Sequence, residues 1–285
     1  MIEVEDLSFT YPGAAAPTLD RLSFSIAKGE VYGLLGPSGA GKSTTQRILM
    51  GLLSGFSGRA QVFDRPVGSG GRAYYERIGV SFELPTLYLR LTARENLKLF
   101  AALYDRPTRD PMDVLALVDL AKAADHRVET FSKGMKMRLN LCRALLHDPE
   151  LLFLDEPTTG QDPARARLTR ELVLRLKNEG KTVFLTTHNM AEAAEICDRV
   201  GFLARGAIPV TGTPLALMRA YGQRLLEVTT ARGDGMETER FPMDGIGRNE
   251  AFLALIGSRD VVAMHTLEAS LDEVFIRATG MKGGE

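Results

Sequence analysis

The chain of 285 residues is short of three things. It has two cysteines, too few for a disulfide scaffold at this length and consistent with a reducing compartment. It has no excess of charge: 35 Lys and Arg stand against 36 Asp and Glu, a formal net charge of -1. No overall basic surface therefore points to nucleic acid, and no acidic tail points to disorder. It has no long apolar run. Leu151 to Leu154 falls far short of the roughly 20 residues that a spanning helix needs. The acidic start, Met1-Ile2-Glu3-Val4-Glu5-Asp6, does not read as a signal peptide. Internal repeats and low-complexity tracts are missing as well. These absences exclude a membrane-spanning chain, a secreted disulfide knot and a disordered tail; docking on a membrane through a partner stays open. The length suggests one large domain or about two ordinary ones, with enough chain to bury a core without staples.

Local pattern divides the chain. In residues 1–35, Leu22, Phe24 and Ile26 alternate with Ser23 and Ser25, which predicts antiparallel β. Val31 to Leu35 is a continuous apolar run, as for a strand buried on both faces; a Gly-rich turn follows, then a helix through Leu49 and Leu52. The same strand logic recurs at Leu151 to Leu154, before Asp155, and at Val183 to Leu185, before His188. Strands separated by helices predict a mostly parallel α/β sheet. Residues 92–146 read as mainly helical. Thr92-Ala93-Arg94-Glu95 has the capping-box pattern, and a helix after Ser132 would bury Met135, Leu139, Cys142 and Leu146 and stop before Pro149. Gly68 to Gly71 reads as a loop. Beyond Tyr221, strands at 225–229 and 261–264 and helices at 248–256 and 271–278 predict a small α+β domain. The expected division is 1–220 and 221–285.

Gly36-Pro37-Ser38-Gly39-Ala40-Gly41-Lys42-Ser43-Thr44 matches GxxxxGK[ST] between a buried strand and a helix. Glycines let successive N–H groups turn into one concavity, and the helix N-terminus faces the same spot. Lys42 supplies a mobile charge for β- and γ-phosphates, and the Ser43 hydroxyl is a hard oxygen ligand for Mg²⁺. Asp155 and Glu156 end a buried strand, where open α/β sheets bind ligands. Asp155 is placed to hold Mg²⁺ through water, and Glu156 to activate the attacking water.

The remaining motifs resemble one family. Phe131-Ser132-Lys133-Gly134-Met135 stands where ABC ATPases carry their LSGGQ signature. Gly160-Gln161-Asp162-Pro163 resembles their D-loop, His188 their switch histidine at the γ-phosphate, and Tyr11 their adenine-stacking aromatic. Ile78-Gly79, Leu91-Thr92 and Glu95-Asn96-Leu97 resemble the flanks of their Q-loop. The resemblance covers residues 2–220. It implies a P-loop NTPase cassette with a mostly parallel core sheet, an antiparallel β subdomain and a helical subdomain. It also implies ATP and Mg²⁺ as ligands. The implied assembly is a head-to-tail homodimer in which Lys42 and Ser43 of one chain, and Ser132 and Gly134 of the other, hold each ATP. Asp162 belongs to the same implied site. Ser270-Leu271-Asp272-Glu273-Val274-Phe275 resembles the C-terminal extension of ATPases serving drug and antibiotic exporters. The implied function is an ATPase subunit powering export through a separate membrane permease, peripheral to the cytoplasmic face of the membrane. The alternatives are an importer ATPase, or an ABC ATPase acting on ribosomes or DNA. Against the last stand the single cassette and the missing coiled-coil heptads.

Three departures matter. Glu83 aligns with the family's Q-loop glutamine; it is expected to ligate Mg²⁺, or else to face the partner or solvent. Lys133 and Met135 replace a glycine and a glutamine of the signature. Lys133 would meet phosphate or water, and Met135 would pack in the core or act at the site. The apolar stretch Leu84-Pro85-Thr86-Leu87-Tyr88 either meets a membrane subunit or packs under the helical lobe. His126, His147 and His265 lack metal-ligand spacing and read as surface or loop residues. Cys142 and Cys197 read as small buried hydrophobes.

Overall fold

A computed structural model describes residues 1–221, 224–232, 235–267 and 269–280. It has two compact units, Met1–Gly212 and Thr213–Glu285. In chain order the first unit runs β1 (Ile2–Phe9), β2 (Leu19–Ile26), β3 (Val31–Leu35), α1 (Lys42–Leu49), β4 (Ser57–Val62), β5 (Arg65–Pro66), α2 (Gly71–Tyr75) and β6 (Ile78–Ser81). It continues with α3 (Ala93–Ala101), α4 (Pro111–Leu117), α5 (Lys133–Leu145), β7 (Leu151–Asp155), α6 (Pro163–Asn178), β8 (Thr182–Thr187), α7 (Met190–Ile196), β9 (Arg199–Ala204) and β10 (Ala207–Gly212).

The alternating N-terminal segments pair as antiparallel strands, with Ile2 opposite Ile26 and Val4 opposite Phe24. This sheet has the order β2-β1-β4-β5 and turns one apolar face inward. The continuous apolar runs go to the larger sheet, of order β10-β9-β3-β8-β7-β6. Every residue of β3, β7 and β8 is buried. Its pairings are parallel except for the β9–β10 edge. The core lies between the two sheets. There Phe24 stacks on Tyr32 at 5.5 Å and 11° and on Phe184 at 5.9 Å, adding geometric preference to area burial. Helices α5, α6 and α7 touch β6, β8 and β3. The β3, β7 and β8 ends that carry the candidate chemistry are therefore neighbours in one sheet.

The structure corrects several expectations. Helix α1 stops at Leu49 rather than Leu52, because Gly51 takes a left-handed φ of 74° just past the cap. Gly71 opens a short helix rather than closing a loop. In α5 Met135 is half-exposed and Met137 occupies the buried place instead. The β9–β10 pair and its antiparallel edge carry no strong periodic signal in the sequence and were not anticipated. His147 lies in the turn after α5, as the loop reading has it, but is fully buried rather than on the surface. It contacts Ile78 O through Nε2 at 2.8 Å and stacks on Tyr104 at 4.0 Å. His126 and His265 are exposed.

The second unit contains α8 (Pro214–Tyr221), β11 (Leu225–Arg232), β12 (Gly235–Pro242), α9 (Glu250–Ser258), β13 (Val261–Leu267) and α10 (Leu271–Thr279). Its antiparallel sheet has the order β12-β11-β13, and Val228 and Phe241 pack with Phe252 and Leu255 of α9. Strand β12 is additional to the elements read from sequence. The division falls at Gly212, ahead of the expected boundary at 220, because α8 packs with α10. Arg277 Nη1 also donates to Tyr221 O at 2.6 Å.

Candidate functional site

In the loop between β3 and α1, Gly36 and Gly41 leave no room for a side chain, and Gly39 takes a left-handed φ of 81°. A Cβ on Gly36 would stand 2.3 Å from Leu203 O, and Gly41 sits at φ 108° against Leu19. No side chain caps α1, so its N-terminus faces the loop with its own N–H groups. Lys42 is buried and folds back over the loop, its Nζ donating to Gly36 O at 2.7 Å and Pro37 O at 3.0 Å. Burial holds the Lys42 pKa below the ordinary lysine value, against the opposing charges of Glu156, Asp155 and Glu83. A partly desolvated ammonium without a tight ion pair is well suited to an anionic ligand.

Across the sheet, both carboxylates of the β7 end are buried. Asp155 accepts from Ser43 Oγ at 3.2 Å and from Thr186 Oγ1 at 2.5 Å. Glu156 stands at φ 48°, a left-handed conformation that costs a non-glycine residue free energy. Its carboxylate accepts from Thr187 Oγ1 and from His188 N, both at 3.0 Å, and meets His188 Nδ1 at 2.8 Å. Gln46 of α1 ties the two strand ends together, donating to Leu154 O at 3.1 Å. Thr186, Thr187 and Gln46 were missed by sequence reading. They act across the sheet, and nothing in their linear spacing marks them.

A cleft of about 390 Å³ gathers Tyr11, Thr18, Ser38, Gly39, Gly41, Lys42, Ser43, Thr44, Glu83, Asp155, Glu156 and His188. Gly36, Pro37 and Ala40 belong to the same loop but do not line the cleft. Tyr11 lies edge-on to Phe9 at 4.9 Å and shares a hydrogen bond of 3.2 Å with Thr44 Oγ1. The cleft therefore joins a phosphate cradle, an aromatic wall and an acid–histidine pair.

The fit to a magnesium ion rests on the Ser43–Asp155 contact, two hard oxygen donors side by side. Glu83 is exposed on the cleft wall. Among the described residues no three His, Cys, Asp or Glu side chains converge closely enough to hold a metal ion by themselves. The donor set suits an ion that takes its other ligands from phosphate and water.

Ser132, Gly134 and Asp162 do not line this cleft. Ser132 caps α5, accepting from Met135 N at 3.2 Å, and Asp162 caps α6, accepting from Arg165 N at 3.0 Å. Gly134 lies against the D-loop-like turn, where an added Cβ would come 3.0 Å from Gly160 O, and the Lys133 stem covers Gly160. Cys142 and Cys197 are buried, and burial pushes both thiols well above their ordinary pKa.

Residues 19–159 match the model of the ABC transporter family, and residues 227–268 match the fluoroquinolone efflux ABC transporter C-terminal domain. A fluoroquinolones export ATP-binding protein of Mycobacterium tuberculosis (strain ATCC 25618 / H37Rv) is 50% identical over 282 residues, 98% of this chain and 93% of the relative. A linearmycin resistance ATP-binding protein of Bacillus subtilis (strain 168) is 36% identical over 280 residues, 95% of this chain and 85% of the relative. Among solved structures, an ATP-binding subunit of an ABC transporter superposes with a TM-score of 0.70 at 30% identity, covering 78% of this chain and 93% of that one. A bacterial ABC transporter cassette solved as a dimer gives 0.67 at 25% identity, covering 75% and 98%.

Proposed function

The chain belongs to the ABC transporter ATP-binding family, an ATP-binding and ATP-hydrolysing cassette, and from that premise we propose that it powers export of drugs or other small molecules through a separate membrane permease. The observation that carries the hydrolytic part is the buried Glu156 held by Thr187 and His188, facing Lys42 and Ser43 across one cleft. The observation that favours export is identity along almost the whole chain to an exporter subunit, together with the match of residues 227–268 to a drug-efflux domain.

The phosphates of ATP enter the concavity of residues 36–44. Lys42 exchanges its contacts to Gly36 O and Pro37 O for phosphate oxygens, and the free N–H groups of the loop and of α1 take the remaining charge. Tyr11 supplies the adenine face. Ser43 and Asp155, with Glu83 as a further carboxylate on the wall, are the residues for Mg²⁺. When bound, that ion neutralises charge on the phosphate oxygens. Glu156 orients the attacking water and accepts its proton, and His188 stands between this carboxylate and the γ-phosphate. Because Ser132 and Gly134 do not reach the cleft of their own chain, a second copy offers its α5 N-terminus to the nucleotide. ATP then joins two chains, and hydrolysis releases them as a rigid-body motion. Asp162, one residue before α6, acts from the facing turn.

No helix among the described residues is long and apolar enough to cross a membrane, and on this reading a separate permease supplies the transport path. Leu84 is 78% exposed and Tyr88 55%, an unusual display for a loop next to a nucleotide cleft. We assign this stretch to docking of the permease on the cytoplasmic face. The test is transport itself. Cells producing the chain together with a multi-spanning permease that co-purifies with it should accumulate less fluoroquinolone than cells producing the Lys42→Ala variant with the same permease. Equal accumulation, with both proteins present, would remove the export assignment.

A further inference from the structure

Behind the Glu156–His188 pair lies a second cavity, of about 540 Å³, bordered by both residues and by Thr158, Arg170, Glu192 and Glu195. Its wall carries a part-buried polar chain centred on Glu192. Thr158 Oγ1 donates to Glu192 Oε2, and Arg170 Nη1 donates to Glu192 Oε1 at 3.2 Å. The other side of Arg170 pairs with Glu195 at 2.7 Å. Glu192 is only 9% exposed, so its bonds are made at low dielectric, where a charged acceptor strengthens them and a missing partner is costly.

The chain links three pieces of the molecule. Glu192 sits in the first turn of α7, whose cap Asn189 follows His188 directly; Asn189 Oδ1 accepts from Glu192 N at 3.2 Å. Thr158 belongs to the turn between Glu156 and α6. The same turn is pinned at its far end by Gln161, which accepts from Thr169 Oγ1 at 3.0 Å. It carries Gly160, on which Lys133 and Gly134 of α5 rest. Glu156 opens this turn in a strained backbone conformation, which persists only where surrounding contacts over-determine it.

We propose that the Thr158–Glu192–Arg170 chain is a positioning network for hydrolysis, locking turn 157–162 to the helix behind His188. The Glu156–His188 contact and the seat of α5 on Gly160 then form or break together. The proposal rests on the reading of Glu156 as the hydrolytic base. Thr158 and Glu192 do not line the cleft that holds the phosphate loop, so their removal should misplace the base without weakening ATP binding.

The experiment compares steady-state ATP turnover of the full-length chain as wild type, Thr158→Val, Thr158→Ser, Glu192→Ala and the double variant Thr158→Val/Glu192→Ala. Misplacement of a reacting group by about 1 Å costs up to about a hundredfold. Thr158→Val and Glu192→Ala should therefore lower kcat about tenfold with KM for ATP within about twofold. Thr158→Ser, which keeps the hydroxyl, should recover turnover to within about twofold, and the double variant should be no slower than the worse single one, because both remove one contact. Unchanged kcat in Thr158→Val, losses that multiply in the double variant, or a rise in KM that matches the fall in kcat would each overturn the network. Should Glu192→Ala not fold, with Arg170 left underpaired, the Thr158→Val and Thr158→Ser pair decides alone. Glu156→Gln separates the two readings. If it turns over normally, the base assignment falls; if it is slow while Thr158→Val is normal, only the network falls.

Discussion

At the scale of single residues, the site is a set of groups whose roles come from what holds them. On the proposed reading Lys42 serves as a phosphate ligand because it is buried against loop carbonyls with its charge free of a tight ion pair, and Glu156 serves as a base because Thr187 and His188 aim it. Glu83 is one of three positions, with Lys133 and Met135, where the chain is read as departing from the family pattern. Its charge acts on Lys42 and faces the Ser43–Asp155 donors. Glu83→Gln is expected to raise the Mg²⁺ concentration needed for half-maximal ATP turnover; an unmoved Mg²⁺ curve at unchanged kcat would exclude a role for Glu83 at the metal. His147 offers a pH test unrelated to catalysis. Burial lowers its pKa below the ordinary imidazole value, and Nδ1 has no hydrogen-bond partner. The unfolded chain takes up a proton near pH 6.5 that the folded chain resists, so this contribution to stability is complete above about pH 6.5 and declines as the pH falls through the lowered folded value. His147→Gln, which can still donate to Ile78 O, should make the fall in Tm between about pH 7 and pH 5 shallower. An equally steep fall would assign the acid sensitivity to other groups.

At the scale of elements, caps and close approaches decide where helices begin and how strands pack. Thr92 and Glu95 form the reciprocal box expected from their spacing, with bonds of 3.1 and 2.8 Å. Ser132 and Asp162 cap α5 and α6, so the residues that the proposed dimer offers to nucleotide also terminate helices of their own chain. Such a cap is worth about 1 kcal/mol, and variants at these positions therefore carry a stability cost alongside any catalytic one. Strand β6 shows the opposite constraint. A Cβ on Gly79 would come 2.2 Å from Ala144 O and 2.8 Å from Pro149 Cγ and Leu152 Cδ2. Gly79→Ala should lower the free energy of unfolding by about 1–3 kcal/mol, the usual cost of overpacking, read from the midpoint of urea denaturation at constant m. An unchanged midpoint would mean that α5 can withdraw from β6 freely.

At the scale of the whole molecule, one chain contains only part of the proposed reaction site. The phosphate cradle and the Glu156–His188 pair share a cleft; the α5 N-terminus does not line it. Glu156→Gln, which keeps shape and loses the base, should bind ATP, hydrolyse it poorly and elute as a dimer with ATP and Mg²⁺ and as a monomer without them. A variant that stays monomeric with ATP while turning over at the wild-type rate would refute both the base and the shared site. The near-zero net charge fits this design. In the proposed site backbone N–H groups and one lysine would meet the phosphates, so an anionic ligand requires no globally basic surface.

The phosphate loop, the buried strands, the acidic strand end and the helix caps were legible in the chain because each depends on residues within a few positions of one another. Glycine spacing sets a concavity, and apolar runs set a buried strand. Other features depended on contacts between segments far apart in the chain. Thr186 and Thr187 hold the two carboxylates only because β8 pairs with β7. The fully buried His147, the antiparallel β9–β10 edge and the division at Gly212 likewise follow from which surfaces meet. So does Thr158 reaching Glu192 across 34 positions. Local sequence determined what each segment could be and which atoms it could offer. Strand order and packing alone decided which of those atoms stand within bonding distance, because a hydrogen bond depends on separation in space and not on separation along the chain.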